Sequence, residues 1–131
     1  MEASLELYRL LSAENQEHYR IHLACSLHSL GWYILKLSRY ARAEELMAKA
    51  VELRQALLDQ NPETDCLDLA QSLSHLGNIR FEMDQFAEAT HAMEKSVEMR
   101  RVAFEKSPDT QREHLAWSLH RLGDFYSKMK N

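Results

Sequence analysis

The stretch LAWSLHRLGDFY, residues 115–126, is the third copy of one phrase in this chain. LACSLHSLGWYI begins at Leu23 and LAQSLSHLGNIR begins at Leu69, so each copy starts 46 residues after the previous one. The glycines of the protein all occupy one position of this phrase: Gly31, Gly77 and Gly123. Self-similarity at a fixed period of this size indicates a repeat architecture.

The composition is that of a folded domain without a strongly charged surface. The chain has 131 residues, 45% of them hydrophobic, and a formal charge of −4. Its lysines and arginines are scattered, which argues against nucleic acid or an anionic membrane as a partner. Cys25 and Cys66 have no metal-ligand spacing, and no apolar run approaches the roughly 20 residues of a membrane span. These features predict a soluble, cytoplasmic protein without disulfides.

Hydrophobic spacing within the repeat predicts helices throughout. Apolar residues recur every three or four positions, as in Leu23, Leu27, Leu30 and Ile34, whereas a half-buried strand would alternate. Asn61-Pro62 and Ser107-Pro108 supply the start signals of new helices. The predicted helices are six, at residues 2–14, 17–37, 40–60, 63–83, 86–106 and 109–129.

The shared glycine position lies inside a predicted helix, where glycine costs about 1 kcal/mol relative to alanine. We expect close approach of the neighbouring helix to offset this cost, because a residue without Cβ lets two backbones come together. The small residues Ala43 and Ala89 of the following helices would assist from the other side. The sequence thus predicts antiparallel helical hairpins.

The repeat resembles the tetratricopeptide repeat (TPR). The first unit carries the pattern of that family at Leu27, Leu30-Gly31, Ile34, Tyr40, Ala43, Met47 and Ala50. The second unit repeats the pattern at Leu73, Leu76-Gly77, Phe86, Ala89 and Met93, and the third at Leu119, Leu122-Gly123 and Tyr126. The period of 46 is longer than the usual value of about 34, as in repeats similar to those of the kinesin light chain. Ser38 and Asp84 stand where the family has a turn glycine.

This resemblance implies an all-α, right-handed solenoid of antiparallel helix hairpins forming a single domain. Its units would be a second-half repeat at residues 1–15, whole repeats at 16–61 and 62–107, and a first-half repeat at 108–131. Both ends would then lack the helix that covers them in a longer array. Three explanations fit such ends: excision from a larger repeat protein, which we favour, end-to-end self-association, and capping by the C-terminal residues KMKN.

By similarity to the family, the first helix of each hairpin would line a concave groove. The residues expected to contact a peptide or protein partner there are His28, Trp32, Lys36, His75, Asn78, Phe81, Trp117, His120 and Arg121. Aromatic and arginine side chains of this kind dominate binding hot spots. Packing within the stack explains Trp32 and Trp117 equally well.

The resulting function is a non-catalytic protein–protein interaction module. Its alternative is a structural or self-associating segment of a larger signalling or scaffold protein. The carboxylate clamp of some family members is not expected, because only Arg121 and Asn78 could serve in it. Phosphate-binding glycine loops and nucleophile motifs are absent from the sequence, so neither an enzyme nor a cofactor is expected.

Two further patterns receive structural rather than functional interpretations. His22, Cys25 and His28 are spaced by three residues, but no fourth ligand is evident, so a metal site is not expected. Arg100 and Arg101 form the densest basic patch and are interpreted as an exposed helix face balanced by neighbouring glutamates.

Overall fold

The computed structural model describes residues 2–62 and 66–130, with side chains from residue 16 onward. The described chain contains five α-helices and no strand. Their bounds are α1 Glu2–Lys36, α2 Tyr40–Gln60, α3 Leu67–Glu82, α4 Phe86–Lys106 and α5 Pro108–Lys130. None of these helices is long and apolar enough to cross a membrane. The predicted all-helical class is therefore confirmed.

The predicted number of helices is wrong, because residues 2–14 and 17–37 do not form separate elements. They belong to one helix of 35 residues, α1. The repeat position that holds Pro62 and Pro108 is occupied by Gln16 in the first unit. A proline disfavours helical backbone at the residue before it, and glutamine does not. Without that interruption the helix continues through the predicted boundary.

Tight turns separate α1 from α2 and α3 from α4. Ser38 and Asp84, 46 residues apart, have positive φ angles of 60° and 62°. The amide of Arg39 donates to the Ile34 carbonyl, while the amide of Ser38 donates to the Leu35 carbonyl at 2.8 Å. This pair of bonds is a Schellman motif, and the same pattern recurs at Asp84. The two hairpins thus have the same turn geometry, with a non-glycine residue in the left-handed position.

The core lies between successive helices. α1 contacts α2, α2 contacts α3, and the series continues to α5. Buried side chains from α2 and α3 form one cluster: Ala43, Met47, Leu76 and Ile79. The equivalent cluster between α4 and α5 is Ala89, Met93, Val97, Leu122 and Phe125. The same repeat positions therefore build both interfaces.

The glycine position behaves as expected in two repeats of three. A Cβ added to Gly31 would lie 3.2 Å from the Met47 Cε, and one added to Gly77 would lie 3.1 Å from the Ala89 carbonyl oxygen. The neighbouring helix therefore approaches closely at both positions, against backbone at Gly77 and against the flexible end of the Met47 side chain at Gly31. A Cβ on Gly123 would meet no atom within 4 Å. The predicted packing reason for glycine does not apply there.

Candidate functional site

The first helices of the three repeat units, α1, α3 and α5, place the predicted binding residues. Side chains from α1 contact α3, and side chains from α5 contact α3 again. Seven of the nine predicted residues form two groups. The histidine cluster is His28, Trp32, Lys36 and His75, and the arginine cluster is Asn78, Phe81 and Arg121.

Arg54 of α2 lies behind the histidine cluster and joins three helices. Its Nη1 donates to the Ser72 Oγ at 2.6 Å and to the Asp68 carbonyl at 2.9 Å, both on α3. The same nitrogen lies 3.2 Å from the His28 Nδ1 of α1, and Nη2 lies 3.6 Å from the Cys25 sulfur. The two hydrogens of Nη1 serve the bonds to Ser72 and Asp68, so His28 lies at the edge of this network and Arg54 places a positive charge beside its ring.

Ser72 joins His28 to this network. Its Oγ accepts from Arg54 and forms a hydrogen bond of 2.8 Å with the His28 Nδ1. Burial, and then the charge of Arg54, lower the pKa of His28 to about 4. His28 is therefore a neutral ring at pH 7.

His75 is the second neutral ring of the cluster. Burial is the main cause that lowers its pKa to about 4, followed by His28, Arg100 and Arg54. Its centroid lies 5.0 Å from that of His28, edge to face. The buried His75 Nδ1 has no hydrogen-bond partner in the described part of the chain. The pair provides aromatic surface without formal charge.

Trp32 packs against His75, the second ring of the histidine pair. Its ring centroid lies 4.6 Å from that of His75, and the Lys36 Nζ lies 5.3 Å from the Trp32 ring. Trp32 nevertheless remains 40% exposed. The ring thus has one face supported by His75, a cation beside it and substantial area open to solvent. An aromatic surface of this kind suits an apolar side chain with a polar or acidic neighbour.

The arginine cluster connects α3 with α5. Arg121 donates to the Asn78 Oδ1 from Nη2 at 2.9 Å and from Nε at 3.2 Å. Its guanidinium carbon lies 5.1 Å from the Phe125 ring and 5.8 Å from Phe81. Phe81 stacks on Phe125 with centroids 4.5 Å apart. Phe81 is therefore largely an internal contact, whereas Asn78 and Arg121 keep partly exposed polar groups.

The remaining two predicted residues lie on α5 and join neither cluster. Trp117 is 45% exposed, and within the described chain it makes no ring contact. The His120 Nε2 lies 3.7 Å from the Asp124 Oδ2, and its side chain is exposed. Trp117 is thus the second tryptophan open to solvent on the helices that carry the predicted site.

Sequence reasoning missed the arginines behind the site. Arg54 and Arg100 share one repeat position, which was a usable signal, but a basic residue on an amphipathic helix is more often solvated. The expectation of an exposed face is wrong for Arg100, which is 7% exposed, although Arg101 is exposed. Burial lowers the pKa of the Arg100 guanidinium.

The spaced residues His22, Cys25 and His28 do not converge on one point. His28 is bound to Ser72, Cys25 faces Arg54, and His22 is exposed. Among the described residues, no group of three or more histidine, cysteine or acidic side chains is arranged to hold a metal ion. Cys25 and Cys66 are both free thiols.

Comparison with protein families identifies the repeat. The model described as "Tetratricopeptide repeat" matches residues 23–63 and 69–114, together more than half of the chain, and represents the kinesin light chain type. Comparisons with curated proteins and with solved structures gave no match. The matched ranges contain both hairpins and the repeated glycine, alanine and methionine positions of their interfaces. The chain therefore belongs to the tetratricopeptide repeat family.

Proposed function

We propose that this protein is a non-catalytic interaction module, a right-handed solenoid that binds a peptide or partner helix. The concave groove would be lined by α1, α3 and α5. Repeats of this family generally mediate protein–protein interaction or scaffolding. The groove contacts would come from the histidine cluster, from Asn78 and Arg121, and from Trp117 and His120.

The observation that carries this proposal is the exposure of both tryptophans. Trp32 and Trp117 are 40% and 45% exposed, on the first helices of two different units. A large exposed aromatic ring is enriched at binding surfaces, because its burial gives much contact area at a low cost in side-chain entropy. Trp32 is also held by His75, so part of its ordering precedes binding.

The charges of the surface favour a mixed ligand. His28 and His75 are neutral at pH 7, so Lys36 is the cation nearest to Trp32. Arg121 of α5, beside Asp124, supplies a second cation. We expect an extended or helical peptide with an apolar anchor and at least one acidic or polar group near it.

The two tryptophans also provide the test. Peptides of about 12 residues, selected from a random library on the immobilised chain, would be titrated while tryptophan emission is recorded. Because the chain has only two tryptophans, both in the proposed groove, binding should change the emission. We expect Trp32→Ala and Trp117→Ala each to weaken binding at least about 10-fold.

Val102→Ala is the matched control, because Val102 is an equally exposed apolar residue on α4. It should leave the affinity unchanged. Equal affinities for the wild type and both tryptophan variants would refute the groove. Loss with Val102→Ala alone would move the binding surface to the second helices of the hairpins.

We further propose a cytoplasmic location, supported by the two free thiols, Cys25 and Cys66. The self-associating alternative has its own support in exposed apolar residues of α1 and α5 other than the two tryptophans, such as Tyr33 and Tyr126.

A further inference from the structure

Arg100 of α4 is a buried cation without a counter-charge in the described part of the chain. Only 7% of the residue is exposed. Its Nε donates to the Ser96 Oγ at 3.4 Å, whereas Nη1 and Nη2 have no hydrogen-bond or ion-pair partner among the described residues. Buried charges are usually paired, because removing a charge from water is costly. The Arg100 guanidinium therefore has unused donors and an uncompensated charge.

Arg54 occupies the same repeat position as Arg100 but is well hydrogen-bonded. Its Nη1 lies 2.6 Å from the Ser72 Oγ and 2.9 Å from the Asp68 carbonyl oxygen, both on α3. The residue at the position of Ser72 in the next unit is Ser118 of α5. Ser118 is fully buried, but its Oγ has no hydrogen-bond partner in the described chain. The second unit thus lacks the arginine–serine bond of the first, and both groups are left unsatisfied.

His75 of α3 supplies a third unsatisfied group near Arg100. Its buried Nδ1 has no hydrogen-bond partner within residues 16–62 and 66–130. The charge of Arg100 is among the causes that lower the pKa of His75, so the guanidinium lies within electrostatic range of this ring. A neutral imidazole protonated on Nδ1 can donate from that atom. Unsatisfied buried polar groups are uncommon in proteins, and a bound water or ion is one reason for them.

We propose that a small monovalent anion such as chloride binds where α3, α4 and α5 meet, held by the Arg100 guanidinium, the Ser118 hydroxyl and the His75 Nδ1–H. All three groups can donate hydrogen bonds, and the guanidinium can do nothing else. Water would satisfy these donors but would leave the positive charge uncompensated, which favours an anion. The low exposure of Arg100 favours a free ion over a side chain of a bound peptide.

The anion would join the second repeat unit to the third. In the first unit, Arg54 reaches α3 through direct hydrogen bonds to Ser72 and Asp68. At the equivalent place the anion would connect Arg100 of α4 with Ser118 of α5. The proposed peptide groove uses other side chains of α1, α3 and α5, with His75 as the shared residue. The inference therefore goes beyond peptide binding and does not depend on it.

Thermal unfolding of the full chain in matched salts provides the first test. We expect Tm in about 200 mM sodium chloride to lie about 5 °C above Tm in about 200 mM sodium gluconate, because an anion that binds only the folded chain stabilises it. Gluconate gives the same ionic strength but is a much larger anion. The rise in Tm should saturate as the chloride concentration increases. Equal Tm values in the two salts would overturn the proposal and leave water as the occupant.

Chloride nuclear magnetic resonance measures binding directly, because exchange with a protein site broadens the chloride line. Arg100→Met should abolish this broadening, whereas Arg101→Met, at the exposed neighbouring position, should retain it. Ser118→Ala should weaken chloride binding at least about 5-fold, because one hydrogen bond to a charged group is lost. Ser72→Ala, at the same repeat position in α3, should leave chloride binding unchanged.

Ser118→Ala removes a single hydroxyl, so it decides the question if Arg100→Met does not fold. Unchanged broadening in Ser118→Ala would overturn this geometry. Equal loss of broadening in Arg100→Met and Arg101→Met would show that chloride only associates with the charged surface, which would also overturn the proposal. Peptide affinity plays no part in these measurements, so failure of the anion site is distinct from failure of the groove.

Discussion

α3 and α5 carry the same phrase but have different surroundings. In α3, Ala70 is fully buried and Gly77 lies against the Ala89 carbonyl of α4. In α5, the equivalent residues Ala116 and Gly123 are exposed. α3 packs on both α2 and α4, whereas α5 packs on α4. Identical repeat positions therefore have different energetic roles, which depend on how many sides of the helix are covered.

The difference shows that a repeat pattern records where a helix can pack, and the fold determines which of these contacts are made. Leu122 and Phe125 of α5 are buried against α4, while Leu119 and Tyr126 of the same helix are exposed. The energetic effect of this coverage can be measured by substitutions on the two sides of α5, or at the same repeat position in α3 and α5.

The largest contrast is expected between two neighbouring residues of α5. Phe125→Ala removes a fully buried ring that stacks on Phe81, and should lower the free energy of unfolding by about 3–5 kcal/mol. Tyr126→Ala, on the open side, should cost less than about 1 kcal/mol. Urea unfolding followed by circular dichroism at one protein concentration measures both. Similar losses would mean that the open side of α5 is covered in solution.

The glycine position should respond differently in α3 and α5. Gly77→Val places a branched side chain 3.1 Å from a backbone carbonyl oxygen and should lower the free energy of unfolding by about 2 kcal/mol. A side chain at position 123 would enter open space, so Gly123→Val should change the free energy of unfolding by less than about 0.5 kcal/mol. The small change expected comes from the better helix propensity of valine. The same unfolding experiment applies. Equal destabilisation would contradict the difference in packing.

The covered and exposed histidines should differ in their effect on pH dependence. His28 and His75 have a pKa of about 4 in the folded chain against 6.5 for an exposed ring, so the unfolded chain binds more protons between these values. The contribution of these two neutral rings to the free energy of unfolding should be fully present above pH 6.5 and should be lost as the pH falls toward 4. The loss should be on the order of 1–2 kcal/mol after discounting for partial exposure.

Urea midpoints at about pH 7 and about pH 5 measure this loss. A double variant of His28→Gln and His75→Gln should reduce the pH dependence. His91→Gln with His120→Gln, at exposed positions, should leave it unchanged. If the exposed pair carried the dependence, the neutral state of the histidine cluster would be wrong.

The smallest effect is expected at the hairpin turns, where the two repeats are alike. Ser38 and Asp84 hold positive φ angles that cost an L-residue free energy, so Ser38→Gly should raise the free energy of unfolding by about 0.5–1 kcal/mol. Asp84→Gly should raise the free energy of unfolding by less, because aspartate tolerates positive φ angles better than serine does. Ser107→Gly, at a φ of −143°, is the control and should give no gain.

The sequence by itself determined the class of fold and the local structure of the hairpins. The 46-residue period predicted the starts of α2 and α4 at Tyr40 and Phe86, because apolar spacing and turn positions are local properties of the chain. It also predicted that the glycine position serves close approach, which holds for Gly31 and Gly77. Family membership followed from the same residues.

Only the tertiary structure decided which of the repeated positions are covered and which side chains meet. Residues 2–36 form one helix because Gln16 stands where the other two units have proline. Aligning the repeats by their period does not take this single difference into account. The burial of Arg100 depends on how the helices pack, and the network of Arg54, Ser72 and His28 joins residues 18 to 44 positions apart in the chain. A periodic pattern specifies the faces of each helix, but the environment of a face is set by the neighbouring helices that the fold provides.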